Sequence, residues 1–298
     1  MKQTIITLTA CLFLYVAQAQ NQFLIYSFKG NVTVLENKTE SKAKVGKLLE
    51  ESDQVKLGPD AKLTIICNET NMITLTKAGV FKLEDLKSQC AGGQSSLSAN
   101  YVKYVWTQLT QKPGTPEKNR KLFMKNVGAV SRSVNSIWID PRLDTLNYVK
   151  GNFPLSWKSY SESEAFEFQL FESNTSTNPI TTIATSNKFI NLADLKSHLK
   201  PGNTYYWTAI VKGENNQERK VLNVKDKREL DKFLQDLQQV DVTEGEAEKM
   251  FRLAFLLEQG HYLAEAHEHY TKAANLKPGL ELYKTTLDAF KKDYALSR

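Results

Sequence analysis

Between Phe28 and Leu83, apolar residues recur at every second position: Val32 and Val34, Val55 and Leu57, Leu63 and Ile65, Ile73 and Leu75, Phe81 and Leu83. Gly30, Gly46, Gly58 and Gly79 stand at the breaks between these runs. Successive side chains of a strand point to opposite faces, so this alternation sends one face to a core and the other to water. With glycine at the strand ends, it predicts an all-β unit of short, half-buried strands. A chain of 298 residues is too long for that core alone and predicts two or three domains.

The first 19 residues carry a different pattern. Lys2 is followed by an apolar run from Ile5 to Val16, then by Ala17-Gln18-Ala19 before Gln20. A basic start, a short apolar stretch and a small-x-small cleavage site read as a secretory signal peptide (1–19), too short to remain as a membrane span. Leu8-Thr9-Ala10-Cys11 also spells a lipoprotein box, but apolar LFLYVA follows Cys11 where a lipoprotein turns polar. The expected location is therefore the periplasm or the envelope face, with no transmembrane span after signal removal. Asn-x-Ser/Thr triplets at Asn31, Asn37, Asn68 and Asn174 leave a eukaryotic secreted origin open.

Export makes the cysteines legible. With Cys11 removed, Cys67 and Cys90 remain as an even pair in an oxidising compartment. Bridged, they would close a loop of about two dozen residues, worth roughly 3 kcal/mol by the loop-entropy model. The other reading is two separate thiols, with Cys67 buried in a strand.

Further patterns divide the rest of the chain. Tyr101, Val105 and Leu109, with Val102 and Trp106 beside them, mark an amphipathic helix ending near Lys112-Pro113-Gly114. Thr115 and Pro116 then suit the cap and first position of a second helix running to about Asn126. Between 150 and 213 the alternation returns, in Phe153–Trp157, Ala165–Phe171, Ile180–Ala184, Lys188–Leu192 and Thr204–Val211. From Asp226 the period becomes helical, with Leu230, Phe233, Leu234 and Leu237 on one face.

Three resemblances follow from these strings. The pattern Gly30-x-Val32-x-Val34, Gly46, Leu49, Asp53-x-Val55-x-Leu57-Gly58-x-x-Ala61-x-Leu63, Ile73-x-Leu75 and Gly79-x-Phe81-x-Leu83 resembles the FecR-type periplasmic β-domain, which implies a small β-roll over 20–92. Members of that family relay signals through a transmembrane helix; no second apolar span is present here, so that role is not carried over. FPLSW, AFEFQLFES and LKPGNTYYWTAIVKG are similar to fibronectin type III-like and immunoglobulin-like modules, with Trp157 and Trp207 as core anchors of a sandwich over 135–214. The stretch AEKMFRLAFLLEQGHYLAEAHEHYTKAANLKPG resembles a tetratricopeptide repeat, with Leu253, Ala254 and Leu257 on one helix, Gly260 at the turn, Ala266, Tyr270 and Ala273 on the next, and Pro278 closing it. A last helix, Leu280 to Tyr294, would cap the unit 215–298.

Charge singles out the segment between the first two modules. Residues 93–134 hold seven bases (Lys103, Lys112, Lys118, Arg120, Lys121, Lys125 and Arg132) against the single acid Glu117. Elsewhere in the mature chain bases and acids nearly balance. A cationic connector of this kind attracts an acidic partner or an anionic envelope surface; the plain alternative is a solvated helix face. Nucleic acid is not expected in a secreted chain.

No grouping of residues matches a reaction centre. His267 and His269 lie two apart, about 200° apart around a helix, and cannot share one ion. Glu265 and His269, four apart, would pair on the surface, and His198 reads as a solvated turn residue. Glu50-Glu51 and Asp140/Asp144 read as solubilising. There is no phosphate loop, nucleophile elbow or HExxH string, so neither metal nor cofactor is expected.

The expectation is thus a multidomain α+β chain with a small β-roll, a helical connector over 93–134, a β-sandwich and C-terminal tetratricopeptide-like hairpins. Its expected role is that of a non-enzymatic scaffold or adaptor that binds another envelope protein through the helical repeat and the basic connector, with Lys118, Arg120, Lys121, Lys125 and Arg132 as the partner-binding cations. The alternative is a glycan-binding protein using the aromatics of the sandwich.

Overall fold

A computed structural model describes residues 22–92, 97–110, 120, 124, 136–163, 165–215, 218–238, 240 and 242–296. The expected signal peptide (1–19) and most of the cationic connector, including Lys112, Lys118, Lys121, Lys125 and Arg132, lie outside them. So does the proposed helix from Thr115, apart from Arg120 and Met124. The described residues form a mixed α+β chain with several sheets and six α-helices, the last ones in hairpins. None of these helices is long and apolar enough to cross a membrane.

The N-terminal alternation folds into two antiparallel four-stranded sheets. One, in the order β4-β1-β6-β7, joins β1 (Phe23–Lys29), β4 (Leu48–Leu49), β6 (Lys62–Cys67) and β7 (Asn71–Leu75). The other, β3-β2-β5-β8, joins β2 (Val32–Glu36), β3 (Thr39–Lys42), β5 (Gln54–Leu57) and β8 (Gly79–Lys82). Between them Phe23, Ile25, Val34, Val55, Leu63, Ile65 and Ile73 close one apolar core. Gly30 turns β1 into β2 at φ +79°, and a Cβ there would stand 3.0 Å from the Ala61 backbone, so both the conformation and the space call for glycine. Cys67 and Cys90 lie at disulfide distance, with Cα atoms 5.9 Å apart. The bridge ties β6 to the short helix α1 (Lys87–Gly92).

The strands β1 and β6 depart from the half-buried expectation. Both are buried over nearly their whole length, because their outer face is covered as well. Leu24, Tyr26 and Ile66 point away from the inner core and join a second cluster with α2 (Ala99–Thr110) and the C-terminal helices. A register shift between Ile25 and Ser27 leaves Tyr26 as an extra bulged residue. Tyr26 and Ser27 therefore both face outward: the Tyr26 hydroxyl donates to Glu244 at 2.6 Å, and Ser27 Oγ donates to the Thr243 carbonyl.

The second β module is built on a five-stranded sheet, β10-β17-β16-β13-β14. It comprises β10 (Thr145–Tyr148), β13 (Phe166–Phe171), β14 (Thr181–Thr185), β16 (Thr204–Val211) and β17 (Lys220–Val224). Two short ladders accompany it: β9 (Ile137–Trp138) with β12 (Lys158–Ser159), and β11 (Pro154–Ser156) with β15 (Phe189–Asn191). The sheet does not end at the expected boundary of 214. β17 lies inside it, antiparallel to β16 and parallel to β10, so the sequence up to Val224 belongs to this module.

The helical unit follows as α3 (Lys227–Gln238), α4 (Glu246–Gln259), α5 (Leu263–Leu276) and α6 (Glu281–Asp293). At the α4–α5 turn a Cβ on Gly260 would come within 2.8 Å of the Phe233 ring, which is why α3 can approach so closely. One continuous cluster of buried side chains runs through these helices, α2 and the second β module.

Candidate functional site

The residues of the tetratricopeptide-like string form a packing surface. Leu253, Ala254, Leu257, Ala266, Tyr270 and Ala273 are all buried, and Pro278 lies in the turn between α5 and α6. The face they support is occupied by the chain's own α2. The Tyr104 ring stacks on Phe255 at 5.0 Å between centroids, and the Tyr101 ring meets Phe255 edge-on at 5.5 Å. The Tyr104 hydroxyl is 2.9 Å from Thr286 Oγ1 and that of Tyr101 is 3.0 Å from the Tyr26 hydroxyl. Arg252 binds both oxygens of Glu244, with Nε 2.9 and 3.0 Å away. Through Tyr26, Tyr101, Glu244 and Arg252, β1, α2 and the helical unit thus meet on one buried polar network.

Arg120 is the correction among the expected surface cations. Its side chain is 1% exposed and pairs with Glu258 and Asp293, while its guanidinium lies over the rings of Phe290 and Tyr294 at 5.5 and 5.8 Å. Tyr270 and Tyr294 donate their hydroxyls to Glu258 at 3.0 and 3.2 Å. Burial alone would lower the pKa of Arg120, but the charge of Glu258, with Tyr294 and Asp293, outweighs it and holds the group above its ordinary value. Met124 is buried too, its N–H donating to the Arg120 carbonyl at 2.9 Å. Two points of the connector are therefore seated inside the molecule.

Asp293 extends this network into a cleft of about 420 Å³ where the second β module meets the end of α6. Arg142 reaches Asp293 through Nη1 at 2.8 Å and Asp140 through Nε at 2.9 Å. Asp140 also caps a 3₁₀ turn at Pro141–Leu143, accepting from the Arg142 N–H at 3.0 Å. Asp140 and Asp144, the latter paired with Lys220, are thus structural where the sequence suggested solubility. Around this floor stand Trp138, Trp157, Lys158, Lys188 and Lys292. The Lys158 ammonium lies 4.9 Å from the Trp138 ring centroid, and no carboxylate pairs with Lys188 among the described residues. Trp157 is 4% exposed, and its indole N–H has no acceptor among the described residues.

The cleft was not legible in sequence. Its charged and aromatic groups come from four separated stretches, near 140, 157, 188 and 292, and only tertiary packing brings them together. Trp138 was the available signal, alternating with the buried Ile137 and Ile139 and so pointing to the opposite side of a strand.

Other sequence candidates are dispersed. Trp207 is fully buried and stacks on Phe168 at 5.7 Å, so neither it nor Trp157 offers an exposed platform. His269 Nδ1 is 2.9 Å from the Glu265 backbone oxygen rather than from its carboxylate. That carboxylate is buried near Val149 and Lys150 without a well-formed hydrogen bond. The His267 ring stacks on Phe290 at 5.9 Å, and burial lowers its pKa. No group of His, Cys, Asp or Glu among the described residues is arranged to hold a metal ion. No protein-family model matches the chain, and a search of curated proteins returns no match.

Proposed function

We propose that this protein is a non-enzymatic scaffold or adaptor, exported to the periplasm or envelope face, which binds another envelope protein through the cationic stretch of residues 93–134. In this reading the modules are a FecR-like β-domain, a fibronectin- or immunoglobulin-like sandwich and a tetratricopeptide-like unit, as their sequence strings suggest. The observation that carries it is the seating of Arg120 between Glu258 and Asp293. It anchors the connector to the helical unit, and Lys118 and Lys121 lie only two residues and one residue from that anchor in the chain. Cations tethered to a rigid body steer an acidic partner at less entropic cost than a free tail would. The repeat acts in this reading as the mount for the connector, because α2 fills the face that an open repeat would offer to a peptide.

The test is cross-linking in intact cells followed by mass spectrometry, comparing the native chain with a Lys118→Glu/Lys121→Glu/Lys125→Glu/Arg132→Glu variant. Loss of one or more acidic partners is the expected result. An unchanged partner set would sink the assignment. The second reading, glycan binding on an exposed Trp157 or Trp207, loses its basis because both rings are buried.

A further inference from the structure

We infer that the cleft between the second β module and the end of α6 is a binding site for a small anionic saccharide, a sugar carrying a carboxylate or phosphate group. This inference stands apart from the adaptor reading, sharing with it only the buried Arg120–Asp293 pair. Size is the first argument: about 420 Å³ falls in the range of small-molecule sites, roughly 300–1,000 Å³, and far exceeds what a bare inorganic anion fills. Charge is the second. The two acids of the cleft, Asp140 and Asp293, are already engaged by Arg142, and Asp293 by Arg120 as well. Lys158 and Lys188 add positive charge at the rim; Lys158 lies within the field of Asp140, but neither lysine forms a salt bridge with either acid among the described residues. An anion entering here meets ammonium groups without displacing an internal ion pair.

The third argument is a buried donor without an acceptor. Leaving a buried N–H unpaired costs about 1–3 kcal/mol, and natural structures keep such groups chiefly where a ligand or water completes them. Trp157 is among the residues lining the cleft, and its buried indole N–H has no acceptor among the described residues. It suits a hydroxyl, carboxylate or phosphate oxygen. The fourth is shape: the half-buried Trp138 supplies indole surface beside those cations, an apolar face next to polar groups, as a charged pyranose ring requires. The Asp140–Arg142–Asp293 floor spans the second β module and α6, so the walls are held before any ligand arrives.

The experiment is calorimetric titration of the mature chain, at low and high salt, with glucuronate, glucose 6-phosphate, glucose, inorganic phosphate and tetraglutamate. Glucuronate or glucose 6-phosphate should bind at least about tenfold more tightly than glucose or phosphate alone, a difference of ~1.4 kcal/mol, and more weakly as salt rises. The pair of charged sugars separates a carboxylate from a phosphate preference. The Lys158→Ala/Lys188→Ala variant changes only exposed residues, and Trp157→Phe keeps an aromatic ring while removing the N–H; each should weaken binding about tenfold. Lys38→Ala, remote from the cleft, should not. Equal binding of phosphate and charged sugar would overturn the proposal, as would tighter binding of tetraglutamate or full affinity in the Lys158/Lys188 variant. Matching melting curves for the variants exclude unfolding as the cause of a loss.

Discussion

Arg120 shows at the scale of one residue how a charge changes meaning with depth. Two carboxylates, a carbonyl and two aromatic rings surround it. Removing one partner of such a group strands the others in a low-dielectric interior. Arg120→Ala should therefore cost about 3–5 kcal/mol, read as a shift of the urea midpoint, and Arg120→Lys should rescue it poorly because an ammonium cannot fork between Glu258 and Asp293. Glu265 gives a second prediction, with its sign set by burial. Desolvation pushes its pKa up from 4.5 to about 7, partly offset by backbone N–H groups of its own residue, Lys150 and Val149, and reinforced by Glu268. The folded state then holds the proton more tightly than the unfolded chain. Its contribution to stability is full below pH 4.5, falls between 4.5 and about 7, and stays low above that. The loss is of the order of 3 kcal/mol. Glu265→Gln should abolish that slope, matching the native chain near pH 4 and exceeding it at pH 8 in denaturation series; parallel curves would refute the assignment.

At the scale of elements, α2 is the piece on which the junction depends. Its Tyr101 and Tyr104 pack on Phe251 and Phe255 while their hydroxyls bond to Tyr26 and Thr286. Tyr104→Phe should cost about 1 kcal/mol, the net worth of one hydrogen bond. Tyr104→Ala should cost about 3–5 kcal/mol through the cavity it leaves, both measurable by denaturant titration. The bridge between Cys67 and Cys90 spans a sequence separation of 23, so a Cys67→Ser/Cys90→Ser variant should lose about 2–4 kcal/mol by the chain-entropy account. Some of these elements were legible beforehand. The amphipathic spacing of Tyr101, Val105 and Leu109 located α2, and the Phe166, Phe168, Leu170 alternation located β13. The strand FLIYSFK was not, because both of its faces are covered and no alternation survives. Nor was the membership of β17: VLNV alternates buried and half-buried residues, but nothing local says that its partners lie at 145–148 and 204–207.

At the scale of the whole molecule, the buried apolar side chains of the described residues gather into two clusters. Residues between Phe23 and Cys90 close one of them around the disulfide, while the second β module, α2 and the C-terminal helices share the other. Cooperative units follow shared cores. Hydrogen exchange should accordingly give the amides of β13, β16, α4 and α5 a common opening free energy, with those of β2 and β5 in a separate group. Independent exchange of the second β module and the helices would contradict the shared core. For the same reason a chain ending at residue 214 should fail to fold its second β module, since it lacks the strand between β10 and β16; circular dichroism would test this.

Local patterns by themselves determined what kinds of element form and roughly where. Alternation made the strands, 3.6-residue spacing made the helices, small residues such as Ala254, Ala266 and Ala273 allowed their close pairing, and Cys67 and Cys90 were marked as partners. These depend on neighbours within a few residues, which a sequence displays directly. Tertiary structure alone decided that α2 covers the repeat face, that Arg120 points inward, and that Trp138, Arg142, Trp157, Lys158 and Lys188 line one cleft. Each of these is set by contacts between segments tens to hundreds of residues apart, and the energy of such a contact depends on the burial that packing creates.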